Sequence, residues 1–256
     1  VAAKRIDEVI NTEPSVLDTE NPLTISQKKG LVTYEDVSFA YPGAGEDTLK
    51  NISFEALPGQ TTAIIGSTGS GKTTLVDLLL RFYDVTGGAI KVDGTDIKKI
   101  SQKELRSMIG YVPQKNILFS GTVASNLRFG NEGASEEELE RAADIAQATE
   151  FIREKEGGFE HEIAQGGSNV SGGQKQRLSI ARAVAKEPLI YVFDDSFSAL
   201  DFKTDVALRK ALAPTIEKST VLIVAQRIST VLHADKILVL DEGNLVGVGR
   251  HGELME

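Results

Sequence analysis

Thr61-Thr-Ala-Ile-Ile-Gly66-Ser-Thr-Gly-Ser-Gly71-Lys72-Thr73-Thr74 decides how the rest of this 256-residue chain is read. The run Thr61 to Ile65 has the length and apolar character of a buried strand. Beyond the loop, Leu75, Leu78, Leu79 and Phe82 recur at helical spacing. Gly66, Gly71, Lys72 and Thr73 between them spell GxxxxGK[ST]. Glycines let successive backbone N–H groups turn inward around an anion. A helix start adds about half a positive charge there. Lys72 adds a full charge, and the Thr73 hydroxyl can ligate Mg²⁺. Strand, loop and helix together predict a phosphate cradle from Ser67, Thr68, Gly69, Ser70, Gly71, Lys72, Thr73 and Thr74.

Composition makes that cradle necessary. The chain has 28 Lys and Arg against 37 Asp and Glu, a formal net charge of −9. Such a chain has no bulk attraction for nucleic acid, and an anionic ligand needs a local positive pocket. There is no cysteine, which excludes disulfides and thiolate zinc sites. The three histidines, His161, His233 and His251, are too few and too scattered for a histidine-built metalloenzyme. The longest apolar runs are strand-sized, well short of the roughly 20 residues that span a bilayer.

Working outward, Val1 to Ile10 reads as the end of a helix, with Ile6, Val9 and Ile10 on one side. Asn11 to Gly30 is polar, holds Pro14 and Pro22, and reads as a linker. Strands are predicted at Leu31 to Phe39, Leu49 to Ala56, Ala89 to Val92, Ile109 to Val112, Leu189 to Phe193, Thr220 to Val224 and Lys236 to Leu240. The middle, from about Ile117 to Val170, reads as mostly helical, with a capping box at Ser135 and Glu138. Further helices are predicted near Gly172 to Lys186 and Lys203 to Leu212. Strands alternating with helices indicate a parallel α/β core with an inserted helical subdomain.

Two other features carry chemistry. The strand ending in Phe193 is followed by Asp194-Asp195. Alone, such a pair reads as a turn cap; behind a phosphate loop, Asp194 reads as a Mg²⁺ ligand and Asp195 as the base or water-orienting group. Ser171-Gly172-Gly173-Gln174 opens another helix, with Ser171 as its cap and two glycines baring its N–H groups. It is a second candidate anion site about 100 residues after the first.

As an ordered set, these motifs resemble the nucleotide-binding domain of ATP-binding cassette (ABC) exporters, over about Leu31 to Glu256. The resemblance implies a P-loop NTPase fold with an antiparallel β subdomain and a helical subdomain at about 117–172. Tyr41 matches the adenine-stacking aromatic, and Gln114 the glutamine that touches Mg²⁺ and faces the membrane part. Ser171 to Gln174 match the signature, and Ser198-Ala199-Leu200-Asp201 the D-loop. Glu160 to Gly167 resembles the segment that meets the coupling helices of a transmembrane domain. Residues 1–30 resemble the end of a last transmembrane helix and its linker. The implied cofactors are ATP and Mg²⁺, and the implied partner is a second cassette paired head to tail at the cytoplasmic face of the inner membrane.

Two positions depart from the family. Its catalytic glutamate is Asp195 here, and its switch histidine is Gln226, in Val224-Ala225-Gln226-Arg227. Aspartate retracts the carboxylate by about 1.5 Å, one carbon–carbon bond. A glutamine can donate to a γ-phosphate but cannot be protonated. Binding residues are kept while Asp195 and Gln226 differ. The combination resembles the degenerate half of a heterodimeric multidrug-type exporter, which implies a signature that completes a partner's site. A regulatory ATP module, a homodimeric exporter, and a soluble cassette of DNA maintenance or translation are the competing readings.

Overall fold

The structure, a computed structural model, describes residues 2–12, 14–225 and 231–255. Its centre is a six-stranded sheet in the order β12–β11–β3–β10–β9–β6. These strands are β3 (Thr61–Gly66), β6 (Ile109–Val112), β9 (Ile190–Asp194), β10 (Thr220–Val224), β11 (Lys236–Asp241) and β12 (Asn244–Gly249). All neighbours pair in parallel except β12, which runs antiparallel along β11. Every residue of β9 and β10 is buried. Their near-continuous apolar sequences are what a parallel strand covered on both faces requires. Register places Val224 beside both Ile64 and Asp194. The phosphate loop and the acidic strand end therefore emerge together, one strand apart, at the carboxyl edge where such sheets bind ligands.

A second, four-stranded antiparallel sheet has the order β2–β1–β4–β5. It comprises β1 (Val32–Phe39), β2 (Leu49–Ala56), β4 (Gly87–Val92) and β5 (Thr95–Asp96). Its inner residues, among them Val32, Val37, Ile52 and Ile90, share one core with Leu75, Leu78 and Leu79 of helix α2 (Lys72–Leu79). Tyr34 ties the two together by donating its hydroxyl to the Leu75 carbonyl at 2.8 Å. Burial drives this phenol far above its usual range, so it remains a donor.

The inserted part holds α4 (Val123–Arg128), α5 (Glu136–Ile145) and α6 (Thr149–Glu154). They pack with α7 (Gly172–Ala185) and α8 (Phe202–Ile216) around a second core. The capping box expected at the start of α5 is present, and the Ser135 hydrogen bonds hold the Glu138 carboxyl below its usual range. The stretch is less helical than expected, since a two-stranded ribbon of β7 (Gly121–Thr122) and β8 (Glu162–Ile163) pins its ends together.

Several elements differ from the sequence reading. Helix α2 stops at Leu79, and Arg81 turns out of it with a left-handed φ of 52°. Phe82 therefore leaves the helical stripe and is exposed. Helix α3 (Gln102–Ser107) and strand β12 were not anticipated. Helix α1 (Ala2–Ile10) is present, with Ile6 and Ile10 exposed, and residues 14–30 form neither helix nor strand. That segment is nevertheless docked. Ile25 joins the first core, the Leu17 carbonyl accepts from the Arg81 guanidinium at 2.8 Å, and Asp93 accepts from the amides of Lys29, Gly30 and Leu31. Among the described residues, no helix is long and apolar enough to cross a membrane.

Candidate functional site

The end of β3 and the start of α2 build the cradle. Gly66 approaches the neighbouring strand so closely that a Cβ there would lie 2.2 Å from the Leu240 carbonyl oxygen. Gly71 is the N-cap of α2 with a φ of 99°, and a Cβ there would strike Leu49 at 2.6 Å. A glycine cap supplies no side chain, so the first N–H groups of α2 have no side-chain partner. Lys72 folds back over the loop, donating to the carbonyls of Gly66 at 2.9 Å and Ser67 at 2.6 Å. Partial burial lowers its pKa, opposed by the nearby Asp194 and Asp195 carboxylates. The Ser70 hydroxyl is buried without a hydrogen-bond partner. Uncapped amides, a lysine and an orphan hydroxyl around one loop fit an anionic phosphate chain.

A cavity of about 340 Å³ opens over this loop. Tyr41, Thr68, Gly69, Gly71, Lys72, Thr73, Thr74, Gln114, Asp194 and Asp195 all line it. Asp194 is 2% exposed and accepts from the Thr73 hydroxyl at 3.3 Å. Burial raises its pKa, the Thr73 hydrogen bond lowers it, and Asp195 adds a repulsion that raises it. A buried carboxylate beside a hydroxyl is a donor pair suited to a hard, hydrated cation such as Mg²⁺.

Asp195 leaves the strand in a left-handed turn, φ 45°, its amide donating to the Val224 carbonyl at 3.0 Å. Its carboxylate accepts from the Gln114 side chain at 3.4 Å. Two residues 81 positions apart in sequence thus meet across the cavity mouth. The Tyr41 hydroxyl is bonded to that of Thr74 at 2.9 Å. Sequence reasoning had no signal for these links, nor for Thr48 and Val224, which also line the cavity. Gln226 lies outside the described residues.

Ser171, Gly172, Gly173 and Gln174 sit elsewhere and do not line this cavity. Ser171 caps α7 in a reciprocal capping box with Gln174. Ser171 and Gly172 are exposed, and a Cβ on Gly172 would meet nothing within 4 Å. Asp201 caps α8 from an exposed position, and its hydrogen bonds from Thr204 hold its carboxyl below the usual range. One chain therefore gathers the cradle, Tyr41, Gln114, Asp194 and Asp195, but leaves residues 171–174 outside that cavity, with Ser171 and Gly172 exposed.

A parallel sheet with a strand–glycine loop–helix cradle and a carboxylate on a nearby strand end defines a P-loop NTPase fold. Residues 49–198 match the ABC transporter family, and the chain belongs to that family as its nucleotide-binding domain. An uncharacterised ABC transporter ATP-binding protein of Mycobacterium tuberculosis is 47% identical over 259 residues, taking in 100% of this chain and 44% of that protein. The β-(1→2)glucan export ATP-binding/permease protein of Rhizobium johnstonii is 43% identical, over 99% of this chain and 43% of its own length. A solved bacterial Atm1-family ABC exporter with ATP bound superposes with a TM-score of 0.94 at 36% identity, over 99% of this chain and 44% of that one. The chain thus spans less than half the length of these relatives. Members of the family bind ATP, normally with Mg²⁺, and hydrolyse it.

Proposed function

We propose that this chain is the ATP-binding cassette of an exporter and carries the weaker of two unlike ATP sites. Residues 31–256 are the cassette, and residues 1–30 lead into it from a transmembrane helix at the cytoplasmic face of the inner membrane. Two cassettes pair head to tail, each ATP lying between one phosphate loop and the other chain's Ser171–Gln174. The exposed start of α7, which does not line its own chain's cavity, supports this pairing. The segment Glu160 to Gly167 meets the coupling helices, supported by a cavity of about 210 Å³ that Glu160 lines with residues of α4 and α5.

Within the site, Tyr41 stacks on the base and residues 67–74 hold the phosphates. Lys72 releases the Gly66 and Ser67 carbonyls and donates to the phosphate oxygens instead. Thr73, Asp194 and Gln114 would hold Mg²⁺, which when bound neutralises charge on the phosphate oxygens. Asp195 orients the attacking water, with Gln226 in the switch position.

The observation that carries the unlike-sites reading is Asp195, a short carboxylate engaged with Gln114 where the family has glutamate. A misplacement of about 1 Å can cost roughly 100-fold in rate. The test is Asp195→Glu with Gln226→His in the full-length transporter. Hydrolysis at this chain's site should rise, read as labelled ADP trapped there. Unchanged hydrolysis would sink the reading. If the native site never forms ADP, it serves as a regulatory ATP-binding site.

A further inference from the structure

We propose that Tyr83 is a positioning residue for base recognition, fixing the orientation of the Tyr41 ring. This rests on the reading of Tyr41 as the base platform. The Tyr83 and Tyr41 rings lie 5.2 Å apart and nearly perpendicular, at 86°. Phe39 closes the group, 4.9 Å from Tyr41 at 80° and 5.5 Å from Tyr83. Edge-to-face geometry is the favoured arrangement of aromatic pairs, and here it acts on one ring from two sides. The far end of that ring is held as well, through the hydroxyl bonded to Thr74. Tyr41 lines the cavity and Tyr83 does not, so Tyr83 acts on a ligand only through its neighbour.

The turn that carries Tyr83 is itself fastened on both sides. Arg81, 3% exposed, pairs with Asp84 at 3.0 Å and with backbone carbonyls of Leu17 and Ile100. Thr86 binds the Ser38 carbonyl with both its amide and its hydroxyl, each at 3.0 Å. Ser38 immediately precedes Phe39, so the turn is sewn to the strand end that leads into Tyr41. A ring held this way is set in place before a base arrives, and stacking then forfeits little rotamer freedom.

The full-length transporter tests this with three ligands: ATP, inorganic tripolyphosphate, and a fluorescent 2-aminopurine riboside triphosphate whose emission is quenched on stacking. Tyr41→Ala defines the share of base binding that belongs to this chain. Tyr83→Ala should weaken ATP about 5-fold and reduce the quenching, with tripolyphosphate affinity unchanged. Tyr83→Phe should restore both, because the ring and not the hydroxyl makes the contact. Equal weakening of tripolyphosphate, failure of Tyr83→Phe to rescue, or intact ATP binding in Tyr83→Ala beside a deficient Tyr41→Ala would overturn the role of Tyr83. No loss of base binding in Tyr41→Ala would instead remove the platform reading itself.

Discussion

Helices α2 and α7 both begin at glycine-rich turns, yet they solve the problem of a helix start in opposite ways. In α2 the cap is a glycine and no side chain meets the first amides. In α7, Ser171 and Gln174 satisfy one another's backbone in a closed box. The first start has no side-chain cap at all, whereas the second is capped at Gln174 and leaves the amides of Gly172 and Gly173 bare on an exposed surface. Their flanks differ too. Helix α2 carries a half-buried acid, Asp77, raised to about 6 by burial and by Asp194. The last turn and C-cap of α7 carry half-buried cations, with Arg182 lowered by burial to about 10 and Lys186 lowered for the same reason. Arg182 donates to the carbonyls of Ile117 and Asn126, after Gln114, and Lys186 to those of Arg106 and Ile109, before it. Helix α2 turns its start toward its own chain's cavity, while α7 shows its start to the outside and braces the fold from its other end.

Truncating one side chain at each start breaks this comparison most strongly. Lys72→Ala should weaken ATP binding by about 100-fold or more, read by calorimetry on the full-length transporter. Equal loss in Ser171→Ala would erase the distinction, since that residue should leave its own chain's site unaffected. Next in size is the brace. Arg182→Ala strands the carbonyls of Ile117 and Asn126 and should cost about 2–3 kcal/mol in denaturant unfolding, with no direct effect on nucleotide contacts. Ser171→Ala comes third, costing about 1 kcal/mol of stability through its lost cap, with a fall in transporter ATPase activity if a partner's ATP uses that start.

The smallest effect sharpens the contrast in pH. A carboxyl raised in the folded state contributes stability while protonated, and that stability drains away as pH rises from the ordinary carboxylate range through about 6. Asp77→Asn should therefore stabilise the protein by about 1 kcal/mol near pH 7.5, partial exposure having reduced the figure. Below about pH 4 the gain should vanish, because the native acid is then protonated in both states. A gain independent of pH would mean that the charge is not its source.

Which parts were legible in the sequence follows from what each part is made of. Strands β9 and β10 were readable because full burial leaves an unbroken apolar run. The cradle was readable because it is backbone chemistry, which needs glycines at fixed spacing. Strand β12 was hidden because it alternates exposed and half-buried residues and holds two glycines. Helix α3 was hidden by having only six residues, one of them fully buried core at Leu105. In the site, the Gln114–Asp195 and Tyr41–Thr74 links depend on distances between remote positions, which no local pattern encodes.

The docked stretch before β1 has a practical consequence for anyone trimming this protein. Leu31 looks like the natural place to begin a minimal domain, since regular structure starts one residue later. Cutting there would discard Ile25 from the core and take from Arg81 both the Leu17 carbonyl and the Asp18 carboxylate. The cut would thus leave a buried guanidinium at the back of the phosphate-loop helix short of two partners. The smallest piece able to keep that helix seated begins ahead of Leu17, inside what reads as a tether.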